Sequence, residues 1–204
     1  GGAFNLLPRP EGAGPDQLIW LSAQLSGVCF ADLLTSGTFR KFPDLKVALS
    51  EGGIGWIPFM LDRADKTMWN QSWTRLDAGA ETATEIWRKN FLGCFISEPS
   101  NLRLVDRMGE DTVAWECDYP HSDSSWPNSP EILMKEFVGA GTSDALINKI
   151  TWENACRFYR WDPFKHTPRE QATVGALRAL ATDVDVSTTP KAVYRERYAA
   201  AHGS

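Results

Sequence analysis

Leu45-Lys46-Val47-Ala48-Leu49-Ser50-Glu51-Gly52-Gly53 decides how the chain is read. Apolar side chains at 45, 47 and 49 have the period of a short strand, and the strand runs straight into an acidic residue and two glycines. A helical stretch over about 56–73 follows. The pattern then recurs in kind. Residues 91–96, Phe-Leu-Gly-Cys-Phe-Ile, are continuously apolar, as a strand buried on both faces is. Pro99 and Ser100 lead from it into a short helix at about 102–108. A third strand, residues 112–117, reaches Asp118-Tyr119-Pro120-His121-Ser122-Asp123. Ser129 as N-cap and Pro130 at the first helical position open a helix over about 130–139, and another spans about 143–159.

On the N-terminal side, residues 1–15 are rich in Gly and Pro and read as a loop. From Asp16, expected as an N-cap, Leu18, Leu21, Leu25, Cys29 and Leu33 recur with near-helical spacing, and the helix should stop near Ser36-Gly37. Beyond Asp162-Pro163 the pattern breaks into a polar, Ala-rich tail, helical only in pieces. The expected division is therefore one α/β unit over 1–164 and a helical or irregular tail over 165–204, with no internal repeat. Strands alternating with helices predict a parallel sheet with helices outside it. Three such units do not close a (β/α)₈ barrel, which takes about 250 residues. Either the sheet is small and open, or the chain is part of a barrel.

Composition narrows the function. With 21 basic against 26 acidic residues and a net charge of −5, the chain lacks the basic excess of a nucleic-acid binder. No run approaches the roughly 18 apolar residues of a membrane span, and no signal peptide is visible at Gly1-Gly2-Ala3-Phe4. Four scattered cysteines without a C-x-x-C pair read as reduced core residues and a cytoplasmic setting. Three histidines, at 121, 166 and 202, are thin for an all-histidine metal site, whereas nine tryptophans are an unusual load.

In parallel sheets chemistry gathers where strand ends deliver loops. Asp118, ending a buried strand, is either a ligand or general base, or the anchor of a tight turn. Glu51 is either a site carboxylate or a cap for the helix beyond Gly53. The two glycines allow a sharp turn and make no phosphate loop, because no G-x-G-x-x-G or Walker pattern surrounds them. His121 reads as a proton carrier or a hydrogen-bonded structural residue, and Glu98 as a surface or helix-capping carboxylate. Most tryptophans are core or interface; Trp56 and Trp126 stand out because each follows a strand-end motif.

Phe42-Pro43-Asp44-Leu45-Lys46, continuing to Glu51-Gly52-Gly53 and Pro58, resembles the F-P-D-L-K-x-x-x-x-E/H-G-G-x-x-x-x-P signature of the amidohydrolase-related family, in the branch containing aminocarboxymuconate-semialdehyde decarboxylase. Asp118-Tyr119-Pro120-His121-Ser122-Asp123 is similar to that family's S-D-Y-P-H-x-D stretch, and residues 151–158, with Asn154 and Ala155, resemble its closing N-A-x-x-x-F helix. The three motifs lie in family order over about 16–164.

The resemblance implies a metal-dependent TIM barrel that hydrolyses or non-oxidatively decarboxylates a small, aromatic or cyclic carboxylic substrate. It implies that Asp118 binds the metal and acts as a base, and that Glu51 stands where many members place a ligand histidine. His121 would support them, with Trp56 and Trp126 as substrate walls. The implied cofactor is a divalent ion, Zn²⁺ or else Mn²⁺, with no organic cofactor. The family's H-x-H and strand-5 histidine find no counterpart, so the chain is expected to be the C-terminal half of a barrel, strands 6–8. A missing or separate N-terminal half, in a homo- or hetero-oligomer, would complete it. The rival expectations are a non-catalytic subunit or scaffold completing a partner's barrel, and a free-standing α/β binding domain.

Overall fold

Asn90 and Asn154, both buried, fix where the strands of this fold begin. The computed structural model describes residues 15–71, 73, 81–185, 187 and 189–203. It contains a three-stranded parallel sheet in the order β1 (Val47–Leu49), β2 (Phe91–Phe95), β3 (Val113–Trp115). Val47 pairs with Phe91 and Leu49 with Gly93; Gly93 in turn pairs with Val113 and Phe95 with Trp115. β1 is shorter than the alternation predicts because Asn90 Nδ2 takes the Leu45 carbonyl (2.7 Å) and the Pro43 carbonyl (3.0 Å). Before β3, Asn154 Nδ2 donates to the carbonyls of Glu110 (2.7 Å) and Val113 (2.8 Å). The family-like Asn154 is thus a strand anchor.

Helices α1 (Pro15–Thr35), α3 (Ile57–Asn70) and α4 (Ala83–Asn90) accompany one face of the sheet, with the one-turn α2 (Thr38–Lys41) between. Phe30, Leu34, Ile57, Leu61, Ile86 and Trp87 meet Leu49, Phe91, Phe95 and Val113 in a single buried cluster. Trp87 is fully enclosed: it stacks on Phe91 (centroids 5.2 Å, 7°) and receives the edge of Phe30 (5.5 Å, 83°). Its indole N–H donates to Thr112 Oγ1 at 3.0 Å. A Cβ on Gly93 would come within 2.8 Å of Ile57 and 3.4 Å of the Trp87 ring, so this central strand position needs glycine for the helices to lie close.

The opposite face carries a smaller cluster of Leu92, Cys94 and Ala114, with Ala48 and Phe158 against it. Phe158 comes from α8 (Asn154–Tyr159), which continues α7 (Asp144–Asn148) through a π-helical turn at Lys149–Glu153. Between β2 and β3 lie a 3₁₀ turn at Leu102–Leu104 and α5 (Val105–Met108); α6 (Ser129–Ala140) follows β3. The tail forms α9 (Val174–Leu180) and α10 (Lys191–His202). Arg178 of α9 pairs with Glu131 of α6 at 2.5 and 3.0 Å. No described helix is long and apolar enough to cross a membrane.

Several expectations need correction. Asp16 lies inside α1 and does not precede it; the loop expected over 1–15 falls almost wholly outside the described residues. α4 was not expected, yet Thr82 and Glu85 form a capping box, in which Thr82 Oγ1 accepts from the Glu85 N–H and Glu85 accepts from the Thr82 N–H. Ser129 is not the N-cap of α6: it sits in the first turn, and its hydroxyl accepts from Ser125 at 2.9 Å. The predicted helix ending near Trp73 stops at Asn70.

Two measurements follow from these packings. Asn154→Ala removes the donor to the Glu110 carbonyl and to the Val113 carbonyl, the latter bond buried, and should cost about 1–3 kcal/mol, read as a lowered urea midpoint with unchanged slope. Burial pushes the Cys94 thiol up to about 12, and the neighbouring Glu116 carboxylate adds to it. Only about one thiol in 10⁴ is then ionised at pH 8. Iodoacetamide at that pH should label exposed Cys29 and leave Cys94 untouched until the protein is unfolded, as peptide mass spectrometry would show.

Candidate functional site

Because the strands are parallel, their carboxyl ends lie at one edge of the sheet, and the polar residues after them converge there. Glu51, two residues beyond β1, and Asp118, three beyond β3, both adopt left-handed backbone conformations, with φ of 54° and 55°. Such conformations cost a non-glycine residue about 1–2 kcal/mol and persist where surroundings hold them. Asp118 is held by its own loop. Its carbonyl accepts the His121 N–H at 2.9 Å, and its Oδ1 lies 2.8 Å from His121 Nδ1.

Glu51 Oε1 is 4.0 Å from the same imidazole nitrogen, and one ligand atom from each of Glu51, Asp118 and His121 lies within 4.8 Å of the others. The Asp118 side chain is only 10% exposed, whereas that of His121 is 67% exposed. The structure therefore brings together the three residues singled out for catalysis and metal binding. Two carboxylates and one imidazole form a donor set suited to a divalent ion of the Zn²⁺ or Mn²⁺ class. Their clustering, with one ligand atom of each within 4.8 Å of the others, is the observation that favours the fit.

Glu98, read from sequence as a surface or capping carboxylate, clamps the turn after Glu51. Its Oε1 accepts from Ile54 N–H and its Oε2 from Gly55 N–H, both at 2.9 Å, and Asn101 Nδ2 donates to Oε2 at 2.7 Å. Gly53, at φ 64°, passes so near that a Cβ there would lie 2.4 Å from Glu98 Oε1. Glu51, Gly53, Ile96, Glu98 and Asp123 line a cleft of about 190 Å³.

The two tryptophans part company. Trp56 is 9% exposed, its ring packed among Gly27, Phe30 and Trp87 and its N–H donated to the Gly52 carbonyl at 2.8 Å. It is a core residue that fastens the Gly52 turn, and the substrate-wall expectation for it is dropped. Trp126 is 43% exposed and leans on exposed Tyr119, with centroids 5.0 Å apart, in the loop that also carries Asp118 and His121.

Sequence reasoning missed Glu116. Half-buried beside the end of β3, its carboxylate accepts the Glu51 N–H at 2.5 Å. Burial raises its pKa, partly countered by that hydrogen bond. The signal was present: an acidic residue inside an otherwise apolar strand demands a partner. Cys117, beside it, sits 3.4 Å from Ser124 Oγ and 3.5 Å from Ser129 Oγ.

Comparison with known proteins places this geometry. The amidohydrolase family model matches residues 17–161. Decarboxylase macB of Penicillium terrestre is 33% identical over 115 residues, which is 54% of this chain and 33% of that protein. The 5-carboxyvanillate decarboxylase LigW of Sphingomonas paucimobilis superposes with a TM-score of 0.50 at 26% identity, over 64% of this chain and 38% of the other. A dihydroxybenzoic acid decarboxylase from Polaromonas sp. JS666, solved with bound manganese and the inhibitor 2-nitroresorcinol, shares the fold with a TM-score of 0.55 at 24% identity, over 75% and 47% of the two chains. The chain spans a third to a half of the length of these proteins, with a parallel sheet and helices like those of amidohydrolase TIM barrels. Matched over most of its described length, the chain belongs to the amidohydrolase family.

Proposed function

We propose that this chain supplies the C-terminal portion, strands 6–8, of a metal-dependent barrel that non-oxidatively decarboxylates a small aromatic carboxylic acid. The observation that carries the reading is the convergence of Glu51, Asp118 and His121 at the carboxyl edge of the sheet. The decarboxylases among its relatives support the reaction class, and β1 and β3, each paired on one side only among the described residues, leave edges for further strands. In this reading residues 1–164 belong to the barrel half and 165–204 form a C-terminal tail. The remaining ligands would come from outside this chain, and hydrolysis of a related substrate is the nearest alternative chemistry.

Glu51 and Asp118 would hold the ion, with His121 beside them. The ion, Zn²⁺ or Mn²⁺, would supply positive charge that fixes the substrate and stabilises electrons developing in it. In decarboxylation the C–C bond to the carboxylate breaks, CO₂ leaves, and the electron pair stays on the ring carbon, which takes up a proton. Asp118 Oδ1 and His121 Nδ1, 2.8 Å apart, form a short path along which that proton can be delivered and replaced. Trp126 and Tyr119, inclined to each other at 55°, would provide an apolar wall for the ring.

Metal analysis and turnover of the intact protein carrying this sequence test the proposal. About one equivalent of Zn²⁺ or Mn²⁺ per barrel is expected, lost in Asp118→Ala. Asp118→Asn should lower CO₂ release from 2,6-dihydroxybenzoate by about 10²–10⁴-fold with an unchanged far-UV circular dichroism spectrum. A metal-free protein inert to aromatic carboxylates would overturn the reading in favour of a non-catalytic barrel piece. Trp126→Ala should raise KM several-fold while kcat changes little, a split that steady-state kinetics resolves.

A further inference from the structure

Glu51 and Asp118 share a backbone conformation and reach it by different means. At Asp118 the loop itself suffices, through the 2.9 Å turn bond from His121 N–H and the side-chain contact to the imidazole. At Glu51 the local turn is weak, a 3.4 Å bond from Gly52 N–H to the Leu49 carbonyl. What secures it comes from another strand. Glu116 continues β3, donates its own N–H to the Phe95 carbonyl of β2 at 3.0 Å, and reaches past β2 to accept the Glu51 N–H. The neighbouring Ser50 hydroxyl lowers the pKa of the same carboxylate. With its residue turned out of the ladder, the Glu51 N–H has the Glu116 carboxylate as its partner in place of a strand carbonyl.

A half-buried carboxylate is an expensive way to fill this position, where Ala or Val would pack at no electrostatic cost. It also lies close to two other acids, Glu51 and Asp118, whose charges push its pKa further up. What the side chain gives in return is the hydrogen bond to the Glu51 N–H.

We infer that Glu116 is a positioning residue of the metal site, which holds the Glu51 backbone in its left-handed turn and so aims the Glu51 carboxylate at Asp118 and His121. The inference rests on the metal reading proposed above. It places Glu116 outside the ligand set: its function is carried by an acceptor oxygen at the right reach, and its negative charge is not what the site uses.

The test is the dissociation constant for Mn²⁺, read from the electron paramagnetic resonance signal of free Mn²⁺, in the intact protein and three variants. Glu116→Gln keeps the acceptor oxygen and loses the charge; it should bind Mn²⁺ within about threefold of wild type. Glu116→Asp keeps the charge but falls one methylene short of the Glu51 N–H. Glu116→Ala removes the acceptor. Both should weaken binding by about 10–100-fold, the range found when groups orienting metal ligands are lost. If Ala fails to fold by circular dichroism, Asp decides. Undiminished affinity in Glu116→Asp overturns the inference, and so does a Glu116→Gln variant as weak as Asp, since the charge itself would then be acting. Wild-type protein that binds neither Mn²⁺ nor Zn²⁺ overturns the metal reading, and the positioning role with it.

Discussion

The packing of Trp87 on Gly93 is the contact around which the rest is arranged. A bare Cα at the middle of β2 lets the indole and Ile57 settle directly on the sheet. Phe91, Phe30 and Trp56 then close around the ring at centroid distances of 5.2, 5.5 and 5.9 Å. Through its N–H the same indole reaches Thr112, at the threshold of β3. One side chain therefore ties α1 and α4 to β2 and to the start of β3, and a cluster of this size supplies the apolar burial on which a small sheet depends.

The rim of the sheet is polar for the complementary reason. Backbone leaving a parallel strand must find new partners, and here the partners are carboxylates. Glu98 takes the N–H groups of Ile54 and Gly55, and Glu116 takes that of Glu51. These acids shape the loops, while Glu51 and Asp118, with His121, face one another across the edge. Carboxylates that hold loop backbone thus stand beside carboxylates that face one another at the same edge.

How far this was legible in the sequence depends on the kind of signal. The three strands could be read because apolar runs bounded by Gly, Pro and acids have few other interpretations. The nearness of Asp118, Glu51 and His121 to one another was legible because their positions after strands resemble family motifs. Trp56 was misread: a tryptophan beside a motif says nothing of which way its ring turns, and here it turns to Phe30 and Trp87. α4 was overlooked although Thr82 and Glu85 announce it. Glu98 and Glu116 were undervalued because their partners are backbone N–H groups 43–65 residues away, which no local pattern encodes.

The strand order β1-β2-β3 has a geometric corollary. Glu51 and Asp118 ride on strands that are not neighbours, so their anchoring backbones stand two strand spacings apart, about 10 Å. β2 is the spacer between them, and its height in the sheet is set from below by what Gly93 permits. The bite of the site is in this sense gauged by the core: a methyl group added beneath β2 would be felt at the rim as a change in span between two carboxylates that never touch it.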